Sequence, residues 1–180
     1  MEPTRLQPVT LIAGAVSRFG AIAARELSAR SQGGLLLADG DEHKLLTLAD
    51  ELEAERATPE RLSTLAFDAA DPSKWAKASG FVVEQYGRLD WAAIAAPKAA
   101  VSELVDFRPA DRIDATALAL ALRAAGALMR NNSQGGAIVI GVDAHMLAAA
   151  TERQQMAEIL ELAAANGRGS AVRVNLIILG

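Results

Sequence analysis

Before the first helical pattern, the sequence runs Ala13-Gly14-Ala15-Val16-Ser17-Arg18-Phe19-Gly20. Glycines in a strand-to-helix turn let backbone amides approach a pyrophosphate, and the helix N-terminus adds partial positive charge. Gly14, Ser17, Arg18 and Gly20 are therefore candidate cofactor contacts. Asp39 closes the second apolar run, where a carboxylate would bind ribose hydroxyls and repel a 2′-phosphate. Asp68 ends the third run and is placed to meet an adenine edge. Asp143 and His145 flank the end of a later run, and such a pair could serve as acid and base. Plainer readings stand beside these. Glycines are common turn residues, Asp39, Asp68 and Asp143 are also good helix caps, and His145 suits a solvated loop.

The elements that must position these residues alternate along the chain. Strands are expected at Val9–Ala13, Leu35–Ala38, Leu62–Phe67, Trp91–Ala96, Ala137–Ile140 and Val172–Leu179. Helices fall between them. Phe19, Ile22, Ala23 and Leu27 mark the first, which Gly33-Gly34 would end through a left-handed cap. Leu45, Leu48, Ala49 and Leu52 mark the second. Asp71-Pro72 starts the third, whose buried stripe is Trp75, Ala78, Val82, Val83 and Tyr86. The fourth spans Asp111–Arg130 and the fifth Leu147–Asn166. Trp75 and Trp91 read as core residues, while His43 and Arg168 read as surface and connector. Parallel strands need long crossovers, so the pattern predicts one α/β domain over residues 1–180. It is a doubly wound Rossmann-type parallel sheet of about six strands with helices on both faces, preceded by an N-terminal extension at 1–8.

Composition narrows the functional classes. There is no cysteine, which excludes disulfides, thiolate metal sites and cysteine nucleophiles. A net charge of −4 argues against nucleic-acid or anionic-membrane binding. The 51% hydrophobic content excludes a disordered chain. No apolar stretch reaches the roughly 18 residues of a membrane span, and the start lacks the order of a signal peptide. A cytoplasmic protein is expected.

In order and spacing, these pieces resemble the short-chain dehydrogenase/reductase family over roughly residues 9 to 180. Ala13–Gly20 is similar to its Thr-Gly-x-x-x-Gly-x-Gly loop, and Leu37–Leu45 to its second strand–helix junction. Phe67–Asp71 resembles its Asp-Val turn, and Tyr86-Gly-Arg-Leu-Asp90 its approach to strand four. Gly136–Val139 and Val172–Asn175 resemble the starts of strands five and six. The resemblance implies NAD as a cofactor. It also implies a tyrosine that transfers the proton, a lysine four residues later, a substrate-positioning serine and a relay asparagine.

The sequence departs from that set at every member. Its one tyrosine, Tyr86, is followed four residues later by Asp90, and its last lysine is Lys98. Asp143 stands near the serine position and Asp114 near the asparagine. Ile94-Ala95-Ala96-Pro97 replaces Asn-Asn-Ala-Gly, so a proline removes an N–H where the family has glycine. Arg18 replaces the middle glycine and Ala13 the leading threonine; Arg18 would either block the pyrophosphate site or bind phosphate itself.

The expected function is thus a catalytically inactive short-chain dehydrogenase/reductase-like protein acting as a structural or regulatory partner. The alternatives are an NAD(H)-binding oxidoreductase using Asp143 or His145, and a nucleotide-sensing module. Ala115–Leu122 is apolar nearly all round, so one face needs a second layer. With the family's helix bundle, this predicts a homo-oligomer, or a hetero-oligomer with a related dehydrogenase, through 111–130 and 147–166. Family members continue past strand six with a substrate-binding segment and a covering strand. Ending at Gly180 would leave Val172–Leu179 as an apolar edge and remove most of the substrate pocket.

Overall fold

The strands are short apolar runs mostly without polar alternation, as burial on both faces requires. They are β1 (Val9–Ala13), β2 (Gly34–Asp39), β3 (Leu62–Ala66), β4 (Trp91–Ala95), β5 (Gly136–Asp143) and β6 (Val172–Leu179). All pair in parallel, in the order β3-β2-β1-β4-β5-β6. The computed structural model describes residues 7–30, 33–55, 61–67, 71–98, 113–130, 132, 135–148, 150–166 and 171–180. Asp68, Arg168, Asp111 and residues 1–6 of the expected extension lie outside the described residues.

Among the described residues, five α-helices cover the sheet. On one face, α1 (Arg18–Arg30) and α2 (Glu42–Glu55) bury Phe19, Ala24, Leu45, Leu48 and Leu52 against Ile12, Leu35, Leu37 and Ala93. On the other, α3 (Pro72–Tyr86), α4 (Ala115–Met129) and α5 (Ala150–Asn166) pack on Leu11, Leu36, Ile94, Ile138 and Ile140. Each such leucine or isoleucine contributes about 2 kcal/mol by leaving water. Trp75 meets Phe67 edge-to-face at 4.9 Å, locking α3 to the end of β3.

Several expectations change. Neither Gly33 nor Gly34 has a positive φ; Gly34 opens β2. A Cβ at Gly34 would lie 2.7 Å from the Tyr86 ring, so close packing accounts for that glycine. Leu147 does not begin a helix: Ala144–Leu147 is a 3-10 turn, and α5 starts at Ala150. Val83 and Ile22 are exposed, because the helices turn Val82 and Ala24 inward instead. Trp91 is 46% exposed, since the first residue of β4 projects beyond the cluster that α1 and α2 bury.

The fourth helix finds part of its second layer inside the chain. It lies between α3 and α5, so Leu118, Leu122 and Met129 are buried and Leu120 and Leu128 are partly covered. Apolar surface is also open on β6, where Ile177 and Ile178 are 45% and 55% exposed. In the described sheet β6 pairs only with β5 and forms one edge. No described helix is long and apolar enough to cross a membrane.

Candidate functional site

A doubly wound sheet places its ligand crevice at the C-terminal ends of the strands, where the order reverses between β1 and β4. A cleft of about 510 Å³ lies there. The β1–α1 turn and the end of β2 contribute Gly14, Val16, Ser17, Asp39 and, from α2, Lys44. The ends of β4 and β5 contribute Ile94, Pro97, Lys98, Gly141 and Asp143.

The glycine turn is held largely by its own hydrogen bonds. The amides of Gly14 and Ala15 both donate to the Ala38 carbonyl, at 2.9 and 3.0 Å. The Val16 amide donates to Asp39 Oδ2 at 3.0 Å. Ser17 Oγ donates to the Gly14 carbonyl at 2.6 Å and accepts from the Gly20 amide at 3.0 Å, so Ser17 caps α1. Gly14 adopts φ +74°, and a Cβ there would lie 2.8 Å from Ala95 Cβ. The turn's own packing therefore demands both glycines. The amides of Arg18 and Phe19, first in α1, have no partner within the helix and are the ones this geometry leaves for an anion.

Asp39 serves the turn as well as the crevice. Its second oxygen accepts from the Asp41 amide at 3.0 Å, so the carboxylate ties β2, the glycine turn and the start of α2 together. Beside it Lys44 Nζ lies 2.7 Å from Asp41 Oδ2. That hydrogen bond holds the Asp41 carboxyl below its usual value and raises the Lys44 ammonium above its own.

Arg18 reaches from the first turn of α1 to the ends of β5 and β6. Its Nη2 donates to the Gly180 carbonyl at 2.8 Å, and its Nη1 lies 3.7 Å from Asp143 Oδ1. Asp143 sits where a cap would be, yet its side chain makes no capping hydrogen bond to the 3-10 turn. Its Oδ1 is buried without a hydrogen-bond partner among the described residues. His145 lies on the exposed outer side of that turn, and Met146 faces the cleft in its place. Of that pair, only Asp143 lines the cleft. Asp114 accepts from the Ala117 amide at 2.9 Å and caps α4, leaving it a structural role.

Sequence reasoning missed one packing contact. Phe19 folds its ring over Gly141, where any Cβ would overlap it. A glycine inside an apolar strand signals such a close approach, so the clue was legible. Among the described residues no cluster of histidine, aspartate and glutamate could hold a metal ion.

Tyr86 is remote from the cleft. Its hydroxyl donates to Ser63 Oγ at 2.8 Å near the start of β3, and its ring covers Gly34 at the start of β2. It therefore stands at the opposite end of the strands. Tyr86→Phe is expected to lower stability by about 1 kcal/mol in urea denaturation, the worth of one hydrogen bond, and to leave ligand binding unchanged.

No family model matches the sequence, and none of the curated proteins does. Solved structures do. A short-chain dehydrogenase from Oenococcus oeni is 20% identical with a TM-score of 0.74, matching 98% of this chain and 81% of its own. One from Bacillus anthracis is 20% identical with a TM-score of 0.76, over 95% of this chain and 73% of its own. A short-chain type dehydrogenase/reductase from Mycobacterium ulcerans is 22% identical with a TM-score of 0.76, over 95% and 66%. With six parallel strands and five α-helices among the described residues, and a glycine turn at the order reversal, the chain has the fold of the short-chain dehydrogenases/reductases.

Proposed function

We propose that this chain is a catalytically inactive relative of the short-chain dehydrogenases, acting as a structural or regulatory partner subunit. The observation that carries the reading is the placement of Tyr86. The sole hydroxyl-bearing aromatic of the sequence is committed to Ser63 and Gly34 at the wrong end of the sheet. No lysine follows Lys98, so no Tyr-x-x-x-Lys pair can form later in the chain. A carboxylate, Asp143, occupies the end of β5, where a hydroxyl would position a substrate oxygen. Partner contacts through 111–130 and 147–166 remain part of the proposal. The regulatory form that the cleft supports is nucleotide sensing without chemistry, because Lys44, Asp39 and the first amides of α1 furnish its β1–β2 side.

A second reading rests on a different observation. Asp143 brings to the cleft a buried carboxylate oxygen with no hydrogen bond among the described residues, 3.7 Å from Arg18 Nη1, which is the equipment of an acid/base. In that case the chain is an NAD(H)-dependent oxidoreductase with an atypical site. Absorbance assays separate the two. With NADH or NADPH and a panel of aldehydes and ketones, the purified chain is expected to consume no more cofactor than a protein-free control. Steady consumption that Asp143→Ala abolishes would establish the oxidoreductase instead.

A further inference from the structure

Two features lie side by side at β6. Among the described residues its outer edge has no strand partner, so an eight-residue strand directs a row of amides and carbonyls to solvent. Beside that edge, a groove of about 610 Å³ runs between Leu160, Ala163 and Ala164 of α5 and Val172, Val174 and Leu176 of β6. Side chains alternate along a strand, so Val172, Val174, Leu176 and Ile178 share the α5 face. Leu179 packs with the α1 cluster, which puts Arg173, Asn175 and Ile177 on the opposite face. Ile178 continues the row that floors the groove, at the far end of the strand, and is more than half exposed. One strand thus carries an apolar groove toward its start and an apolar knob near its end.

We propose that β6 is a homodimer interface, in which the β6 strands of two copies pair antiparallel about a two-fold axis through Asn175. An axis normal to the sheet keeps the α5 faces of both copies on one side, so only residues of the same face pair. With Asn175 opposite its own copy, Val174 meets the partner's Leu176 and Arg173 meets the partner's Ile177. Val172 meets the partner's Ile178, which fills the groove beside Ala163 and Ala164, and the same exchange occurs in return. The contact is isologous, each copy supplying both knob and groove. Asn175 suits the axis, because an amide both donates and accepts and can bond its own copy. The two Arg173 Cα atoms stand about 13 Å apart along the strands, more than a Debye length at physiological salt. β6 is about 26 Å long and, with α5 over it, the edge is about 20 Å deep. The contact therefore covers on the order of 1,000 Å² in total, the least that a specific dimer uses, and goes with micromolar dissociation. It is separate from the cleft and, apart from the last turns of α5, from the helical surfaces proposed above.

The sequence contains no cysteine, so a single introduced thiol reports the axis directly. Across an antiparallel pair the two Asn175 Cα atoms lie about 4.5–5.5 Å apart, within disulfide reach. Asn175→Cys is expected to form a covalent dimer under mild oxidation, and Arg173→Cys, about 13 Å from its copy, is not. In sedimentation at high micromolar concentration the native chain is expected to be dimeric. Ile178→Lys should weaken the dimer at least about tenfold by bringing an ammonium to the partner's apolar groove. Ala127→Arg, on the exposed side of α4, should leave the dimer unchanged. All four positions are exposed, so the variants are expected to fold, and thermal melts verify it. A monomeric native chain, a dimer that Ile178→Lys leaves intact, or equal cross-linking at 173 and 175 would overturn the proposal. Dissociation by Ala127→Arg alone would move the interface to the helices and overturn it as well.

Discussion

Gly20→Ala is expected to lower the unfolding free energy by about 3 kcal/mol and to abolish nucleotide binding. A Cβ at Gly20 would lie 2.7 Å from Ala15 Cα and 2.8 Å from the Gly14 carbonyl carbon. Both are backbone atoms, so no side chain can rotate aside to relieve the clash. Either the turn or the start of α1 must shift, and the bond from the Gly20 amide to Ser17 Oγ goes with it. Gly80→Ala is the matched control. Nothing lies within 4 Å of its added methyl group, and in the interior of α3 alanine is favoured over glycine. That variant should gain about 0.8 kcal/mol in the same urea titration. A Gly20→Ala chain as stable as native would contradict the packing described for the turn.

Asp90→Ala is expected to cost about 3 kcal/mol or more. Asp90 is 9% exposed and accepts from the Val9 amide at 2.8 Å, which fixes the start of β1 beside β4. Arg88 Nε reaches both carboxylate oxygens, at 3.0 and 2.9 Å, and its Nη2 closes a bidentate pair. Truncation leaves a half-buried guanidinium without its counter-charge and a buried amide without its acceptor. Coupling follows from the same geometry. In a double-mutant cycle, Arg88→Ala with Asp90→Ala should destabilise by less than the sum of the single changes. A drop below about 1 kcal/mol for Asp90→Ala would show that water replaces both contacts. The Tyr86–Asp90 stretch thus reads as architecture, with a turn at Gly87 (φ +71°) between a structural tyrosine and a structural aspartate.

The strand sequence was legible because Val9–Ala13, Leu35–Ala38 and Ala137–Ile140 are buried on both sides, and burial of that kind leaves an unbroken apolar run. Phase within the helices was less legible. Val82 and Val83 are adjacent valines, and only the packing of α3 on the sheet decides which turns inward. Trp91 was misread for a related reason: composition shows an apolar residue but not that β4 begins outside the helical layer. At the site, the glycines and Asp39 were found by position, and their roles proved partly internal to the turn. The Arg18–Asp143 approach joins residues far apart in sequence, so no local pattern announces it. The expectation that Asp143 caps a helix failed because the chain enters a 3-10 turn there, with no capping bond from the carboxylate.

The claim that the fold is kept while its hydride chemistry is absent meets its most direct test in isotope transfer. The purified chain would be incubated at high concentration with NADH deuterated at the transferring position and a broad mixture of carbonyl compounds. Mass spectrometry would then search every alcohol product for the label. No label above a protein-free control is the expected result, even at one turnover per chain. Deuterium appearing in a product, and disappearing again in Asp143→Ala, would contradict the account and make Asp143 a catalytic residue.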